Sequence, residues 1–281
     1  MAEERLHIRH ILVALDASVG SLTALETSLE LAHRLGAEVS GLFVEDINLL
    51  RAAELPFVRV VSPFSPIFQR LEFDQLERQF RAQAGQMREA MARLAEQKGV
   101  PWSFRVSRGI VAAEVLTAGA EADLIVMGRV GRSFTRGRQI GSTVRTVVYQ
   151  RRGLTFILHT ERWTAAAPVA VMYDGSLLAK KAMEAAIYLG QIKNSRMIVF
   201  VQARDKHTAR ALREEATEKL RAFGLEADYR LLAHTTPSMI AQLVQSETGG
   251  PVVLPCERGQ MEEEELCKLL SEMPNPILLV R

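Results

Sequence analysis

The stretch ILVALDAS, residues 11–18, decides how this chain of 281 residues folds. Its first five residues form an unbroken apolar run, which is typical of a parallel strand covered by helices on both faces. The acidic turn and serine that follow lead into a segment with leucines at helical spacing, and then into a second apolar strand at 39–44. Strand, helix and strand at this spacing form a βαβ unit with a right-handed crossover. The sequence therefore predicts an α/β fold.

The same order of segments returns in the second half of the chain. VAVMYDGS, residues 169–176, again joins an apolar strand to an acidic turn and a serine. Element order, more than residue identity, indicates a tandem duplication. We predict two doubly wound domains, at 1–160 and 167–281, each a five-stranded parallel sheet flanked by helices. The predicted strands are 8–15, 39–44, 101–106, 123–127 and 154–158, then 169–173, 197–201, 227–232, 252–254 and 277–280.

Residues 46–70 interrupt this order in the first half. Pro56, Pro63 and Pro66 lie there among apolar residues, and the regular pattern is lost. We interpret the segment as an apolar insertion that packs against a surface. Two interpretations stay open, because the insertion is compatible with a lid over its own domain and with a dimer or partner interface.

Composition and charge argue against several classes of protein. The 35 Lys+Arg nearly balance the 33 Asp+Glu, which argues against a surface that coats nucleic acid but permits a local basic patch. The hydrophobic content of 48% argues against disorder, and the two cysteines cannot build a disulfide scaffold or a four-thiolate zinc site. No apolar run approaches the roughly 18–20 residues of a membrane span, and no signal-peptide pattern is visible. We therefore expect a soluble, cytoplasmic protein with neither nucleic acid nor membrane as partner.

The segment GRVGRSFTRGRQIGST, residues 128–143, carries the strongest functional signal. It follows a buried strand and leads into a helix, and open α/β sheets bind ligands at this edge. Its glycines let a phosphate approach the backbone, and the amides near Gly141, Ser142 and Thr143 favour an anion. The segment predicts phosphate binding, although it is not a Walker A motif. Four arginines without an intervening carboxylate add a positive field: Arg129, Arg132, Arg136 and Arg138.

This spacing resembles a known family. Gly128-x-x-Gly131, nine residues and then Gly141-Ser142 resembles the G-2x-G-9x-G-[S/T] nucleotide loop of the universal stress proteins. Residues 11–18 resemble the opening strand of that family with its acidic turn, and LIVMG at 124–128 resembles its fourth strand. The resemblance covers the whole first half, and the second half resembles a degenerate copy. It implies a Rossmann-like fold and a stress-response regulator that binds ATP or another adenine nucleotide, with or without Mg²⁺.

The resemblance also implies roles for single residues. Asp16 would lie against the base and ribose, and Val44 would pack on the adenine. From the residues alone, Asp16 is also compatible with a turn or helix-capping residue, and Val44 and Met127 are compatible with ordinary core packing. The nucleotide-binding set that we predict is Ala14, Leu15, Asp16, Val44, Met127, Gly128, Arg129, Gly131, Arg138, Gly141, Ser142 and Thr143.

The second half lacks such a loop. Pro255 stands where the first half has Gly128, so the backbone amide is lost and φ is fixed. Four glutamates at 262–265 crowd the start of the next helix, where carboxylates stabilise the helix but repel a phosphate. We predict that this half binds no nucleotide and serves as an intramolecular dimer partner, with a homodimer of whole chains left open. Residues 151–153, Arg-Arg-Gly, replace a Cys-Pro or similar pair of the family, which would alter the dimer edge.

Three functions remain open at this point. The first is a nucleotide-binding regulator with an unknown protein partner. The second is a slow ATPase or autophosphorylating enzyme, although no acid besides Asp16 is placed to activate water. The third is a nucleotide-free scaffold that uses residues 46–70 as its contact surface. The sequence offers no catalytic residue or metal site, since Cys256 and Cys267 lack a histidine at ligand spacing.

Overall fold

The computed structural model describes residues 6–55, 59–61, 68–70, 72–131, 140–159, 167–193, 195–232, 236–257 and 262–281. Strands and helices alternate over most of this length, as the sequence predicts. The strands are β1 His10–Leu15, β2 Glu38–Asp46, β3 Arg59–Val61, β4 Phe68–Arg70, β5 Trp102–Gly109, β6 Leu124–Gly128, β7 Leu154–Leu158, β8 Val169–Tyr173, β9 Met197–Gln202, β10 Ala227–Leu232, β11 Val252–Pro255 and β12 Ile277–Val280. The helices are α1 Val19–Leu35, α2 Ile47–Glu54, α3 Phe73–Lys98, α4 Val111–Gly119, α5 Ser142–Gln150, α6 Leu177–Lys193, α7 Lys206–Arg221, α8 Pro237–Glu247 and α9 Glu263–Glu272.

One ten-stranded sheet runs through both halves, in the order β10-β9-β8-β11-β12-β7-β6-β1-β2-β5. Within each half the five strands are parallel, and both halves have the same local order from the centre outwards. The predicted α/β class is therefore confirmed. The antiparallel pairing of β7 with β12, which joins the two halves into one sheet, is a feature that the sequence did not predict.

Helices cover both faces of this sheet. The core on one face includes residues of α1, α3 and α6, and the core on the other includes residues of α4, α5 and α9. In the first half the chain runs from β1 outwards to β2 and β5, then returns to the other side of β1 with β6 and β7. The order of strands therefore reverses between β1 and β6, and ligands of open α/β sheets bind at such a reversal.

The segment 46–70 has more regular structure than the sequence predicts. Asp46 Oδ1 accepts the N–H of Asn48 at 2.9 Å and caps α2, which buries Leu50 and Ala53. The strands β3 and β4 pair antiparallel as a separate ribbon. The expectation of a patternless stretch is wrong for α2, because a capped, amphipathic helix begins directly after β2. The three prolines of the segment lie outside the described residues.

The two acidic turns share one geometry. Asp16 and Asp174 each accept the N–H of the serine two residues later at 3.0 Å, and that serine hydroxyl accepts an N–H at 3.1 Å to cap the next helix. Between them, Ala17 has a φ of 60° and Gly175 a φ of 79°. The second half therefore keeps the turn of the first as a helix N-cap.

Replacing Gly175 with alanine should lower the free energy of unfolding by more than about 1 kcal/mol, because a side chain there is strained at positive φ. Its Cβ would also lie 2.5 Å from Leu212 Cδ2. Gly85→Ala is the control, since nothing lies within 4 Å of that Cβ in α3. The control should raise stability by about 0.5–1 kcal/mol through helix propensity. Urea unfolding measures the stability of both variants. A Gly175→Ala protein as stable as the parent would contradict a strained, positive φ at this position.

Two arginines bind across the junction of the halves. Arg129 donates to the carbonyls of Ser271, at 2.5 Å, and Met273, at the end of α9. Arg281 donates to the carbonyls of Val148 and Tyr149, at 2.6 and 2.8 Å, near the end of α5. Each half thus supplies a guanidinium to the carbonyls and negative dipole at the end of a helix in the other half.

Candidate functional site

The predicted nucleotide-binding residues of the described segments gather at one edge of the sheet. The strands β1, β2 and β6 are parallel neighbours, so their carboxyl ends meet at that edge. Asp16 follows β1, Val44 lies near the end of β2, and Gly128 ends β6. This edge contains the reversal of strand order between β1 and β6.

Gly128 lets β6 and α1 touch through their backbones. A Cβ on Gly128 would lie 2.9 Å from the carbonyl carbon of Gly20 and 3.2 Å from the backbone nitrogen of Ser21. Any side chain at this position would push α1 away from the strand. Sequence reasoning missed Gly20, and the available signal was a glycine two residues after the capping serine.

Gly131 brings the loop after β6 against the acidic turn. A Cβ on Gly131 would lie 2.8 Å from Asp16 Oδ2. Asp16 also accepts the N–H of Ser18 through Oδ1. The carboxylate is therefore a turn residue that also faces the predicted phosphate loop, so both interpretations of Asp16 are compatible with this geometry.

Gly141 closes the loop and begins α5. Its N–H donates to the carbonyl of Arg129 at 3.0 Å, and its Cβ position is 3.7 Å from the nitrogen of Gly131. Gly141 is the N-cap residue and offers no side-chain acceptor to the first-turn amides of α5. These amides, at Ser142 and Thr143, carry the positive end of the helix dipole. Arg138, like the neighbouring loop arginines, lies outside the described residues.

Several residues at this edge of the sheet are apolar. Met127 is only 4% exposed, and Leu15 is also buried. Ala14 and Val44 are partly buried and pack against the same core as Met127. The side chains of Ala14 and Val44 therefore offer apolar surface at the edge, whereas Met127 and Leu15 belong to the core.

Arg129 is directed away from the phosphate loop. Its side chain is 4% exposed, and besides the α9 carbonyls its guanidinium contacts His159 Nε2 at 2.6 Å. The expectation that this side chain meets a phosphate is corrected, because the guanidinium is bonded to the other half. The sequence could not separate Arg129 from the other loop arginines, since its partners are main-chain carbonyls 142 and 144 residues away.

The corresponding edge of the second half is built differently. Pro255 pairs with Val280 as Gly128 pairs with Leu158, so the sheet register itself aligns the proline with the glycine. Glu262 and Glu265 form a capping box at the start of α9, and Glu263 accepts from Arg145 at 2.7 Å. The first turn of α9 is thus surrounded by carboxylates of its own.

Arg151 stabilises its own half and not the dimer edge. Its guanidinium donates to the carbonyls of Gly119 and, at 2.6 Å, Ala122, at the end of α4. Burial lowers the pKa of this guanidinium. The prediction concerns the whole segment 151–153. Arg151 binds within its own half, whereas Gly153 of the same segment pairs at the junction, where its N–H donates to the carbonyl of Arg281 at 2.8 Å.

Three further observations concern the described segments only. No group of three or more His, Cys, Asp or Glu side chains there is arranged to hold a metal ion. None of the helices there is long and apolar enough to cross a membrane. Burial raises the pKa of the Cys256 and Cys267 thiols.

The fold and the site define the class: an α/β protein whose first half has a glycine-lined reversal of strand order. The model of the universal stress protein family matches residues 46–150. This chain therefore contains a universal stress protein domain in its first half.

Solved structures with the same fold cover the whole chain. A universal stress protein from Archaeoglobus fulgidus superposes with a TM-score of 0.69 and 18% identity, covering 97% of this chain and 96% of that chain. A putative universal stress protein from Pseudomonas aeruginosa superposes with a TM-score of 0.61 and 14% identity, covering 97% of this chain and 93% of that chain. The cytoplasmic domain of a prokaryotic cation chloride cotransporter superposes with a TM-score of 0.55 and 10% identity, covering 97% of this chain and 95% of that chain. At these identities the likeness shows a shared fold. A search of curated proteins found no match.

Replacing Arg129 with methionine should lower the free energy of unfolding by about 2–4 kcal/mol, because the carbonyls at the end of α9 lose their buried charged donor. If the glycine-lined edge binds ATP, as the resemblance implies, ATP affinity should stay within about threefold of the parent, since the guanidinium is directed away from that edge. Arg145→Met is the matched control, because it removes only the exposed ion pair between α5 and α9 and should change unfolding far less. Denaturant unfolding and ATP titration measure these effects. A variant that loses ATP affinity but keeps the stability of the parent would instead indicate that Arg129 binds the phosphates.

Proposed function

We propose that the first half binds ATP or a related adenine nucleotide, and that the protein is a cytoplasmic stress-response regulator. One observation carries this proposal: Gly128, Gly131 and Gly141 line a backbone cradle between the Asp16 turn and the uncapped start of α5. At Gly128 and Gly131, a Cβ would come within 3.0 Å of the neighbouring backbone or carboxylate. The universal stress protein domain in this half supports the same interpretation.

The cradle offers separate groups to the parts of a nucleotide. The phosphates would meet the amides of Gly131, Ser142 and Thr143, which need no side-chain charge to attract an anion. Asp16 would accept a hydrogen bond from the ribose or base, and the half-buried side chain of Val44 would pack on the adenine. Arg138 remains among the residues that we propose to bind the phosphates, whereas Arg129 is no longer one of them.

The second half, in this proposal, acts as the intramolecular dimer partner of the first. Support comes from the antiparallel β7–β12 pair and from the two arginines that bind helix ends across it. The carboxylates at the start of α9 and Pro255 support a second half without nucleotide.

Ser142→Glu should weaken ATP binding by at least about tenfold, because a carboxylate at the start of α5 repels phosphate. The helix itself should be retained, since Glu is favourable in a first turn and Ser142 is exposed. Ser142→Gln is the matched control of almost equal size and should stay within about threefold of the parent. Isothermal titration with ATP measures all three proteins. Equal weakening by Glu and Gln would mean that charge at this position does not matter, against the proposal.

Protein purified without added nucleotide should also carry an adenine nucleotide or bind one when it is supplied. Heat extraction followed by mass spectrometry identifies any released compound, and titration covers the case of an empty preparation. A protein that neither releases nucleotide nor binds ATP at millimolar concentration would leave the scaffold interpretation in its place.

A further inference from the structure

A separate cleft of about 500 Å³ opens at the junction of the halves. It is lined by the end of α5, the start of α6, the loop after β11 and the residue after β12. The strands β8, β11 and β12 end on this side. Because β7 and β12 are antiparallel, it lies at the opposite edge of the sheet from the nucleotide cradle.

Basic side chains dominate the charge of this cleft. Arg152 and Lys181 are both exposed, and within the described segments neither has a hydrogen bond or ion pair. Arg281 adds a third positive charge, although its guanidinium is bonded to the end of α5 and lies 5.9 Å from the centre of the Tyr149 ring. Glu257 contributes one carboxylate to the lining. The balance is positive, so the cleft attracts anions.

The same cleft has an apolar part. Leu177 is 82% exposed, the highest exposure among the large hydrophobic residues of the described segments. Leu178 and Tyr149 also line the cleft. A site that combines exposed cations with exposed apolar surface suits a ligand that has both an anionic and an apolar group.

The repeated fold provides an internal comparison, because each half contains the position equivalent to a cleft cation of the other half. Thr23 stands five residues after the capping Ser18, as Lys181 stands five after Ser176. Pro274 stands six residues before Val280, as Arg152 stands six before Leu158. The equivalent positions therefore carry no charge. The pair of cations is not a requirement of the repeated fold, which leaves ligand binding as an explanation.

We propose that this cleft binds a small organic phosphate, with the phosphate held by Arg152 and Lys181 and the apolar part against Leu177 and Tyr149. The site is separate from the nucleotide cradle: it lies at the opposite edge of the sheet, at the end of α5 and not at its start, and it uses side-chain cations in place of backbone amides. Its experimental test is therefore carried out in the Ser142→Glu protein, where the cradle is weakened.

Phenyl phosphate and inorganic phosphate are the probes, titrated at low salt and followed by NMR shifts of backbone amides. We expect saturable binding of phenyl phosphate with shifts at residues 149–152 and 176–181, and binding of inorganic phosphate that is weaker by at least about threefold. Adding Arg152→Met and Lys181→Met should weaken phenyl phosphate binding by at least about tenfold. Lys180→Met is the matched control, because that lysine is ion-paired with Glu215 at 2.8 Å, and it should leave binding unchanged.

Three results would overturn the proposal. The first is the absence of saturable shifts at the cleft in a folded Ser142→Glu protein. The second is equal affinity in the protein that lacks Arg152 and Lys181. The third is inorganic phosphate binding as tightly as phenyl phosphate, which would remove the apolar half of the site.

Discussion

The antiparallel pair of β7 and β12 is the contact on which the rest of the structure depends. Both strands are fully buried, and they turn two parallel half-sheets into one. Arg129 and Arg281 complete this junction, because each satisfies the last carbonyls of a helix that belongs to the other half. Such ends would otherwise leave polar groups unsatisfied beside a buried junction. The two halves are thus one structural unit, held by backbone pairing and by charge.

This junction also determines where ligands can be bound. Since the halves are antiparallel, their carboxyl edges lie on opposite sides of the sheet, and each edge lies beside helix ends from the other half. In the first half the result is a glycine-lined backbone cradle under α5. In the second half, Pro255 and the α9 glutamates oppose phosphate at the corresponding position, while Arg152 and Lys181 are left at the junction. The two halves therefore share one fold, but the charged and polar groups at the carboxyl edges of their strands differ.

Much of the fold could be predicted from the sequence, because buried parallel strands leave unbroken apolar runs and the acidic turns mark the helix starts. The loop glycines were also visible, since phosphate loops need glycine at fixed spacing. Other features leave no such signal. The helix α2 precedes the prolines that suggested disruption of the whole segment, and nothing in the spacing indicates that β7 pairs with β12. Arg129 and Arg151 resemble surface cations in the sequence, yet both bind main-chain carbonyls, and any residue can supply a carbonyl.

Hydrogen–deuterium exchange with saturating ATP shows directly which half of the chain the nucleotide protects. We expect slower exchange at the amides of residues 128–131 and 141–143, and unchanged exchange in the first turn of α9, Glu263 to Glu265. Equal protection in α9, or no protection at 128–131 and 141–143, would contradict a nucleotide site confined to the first half.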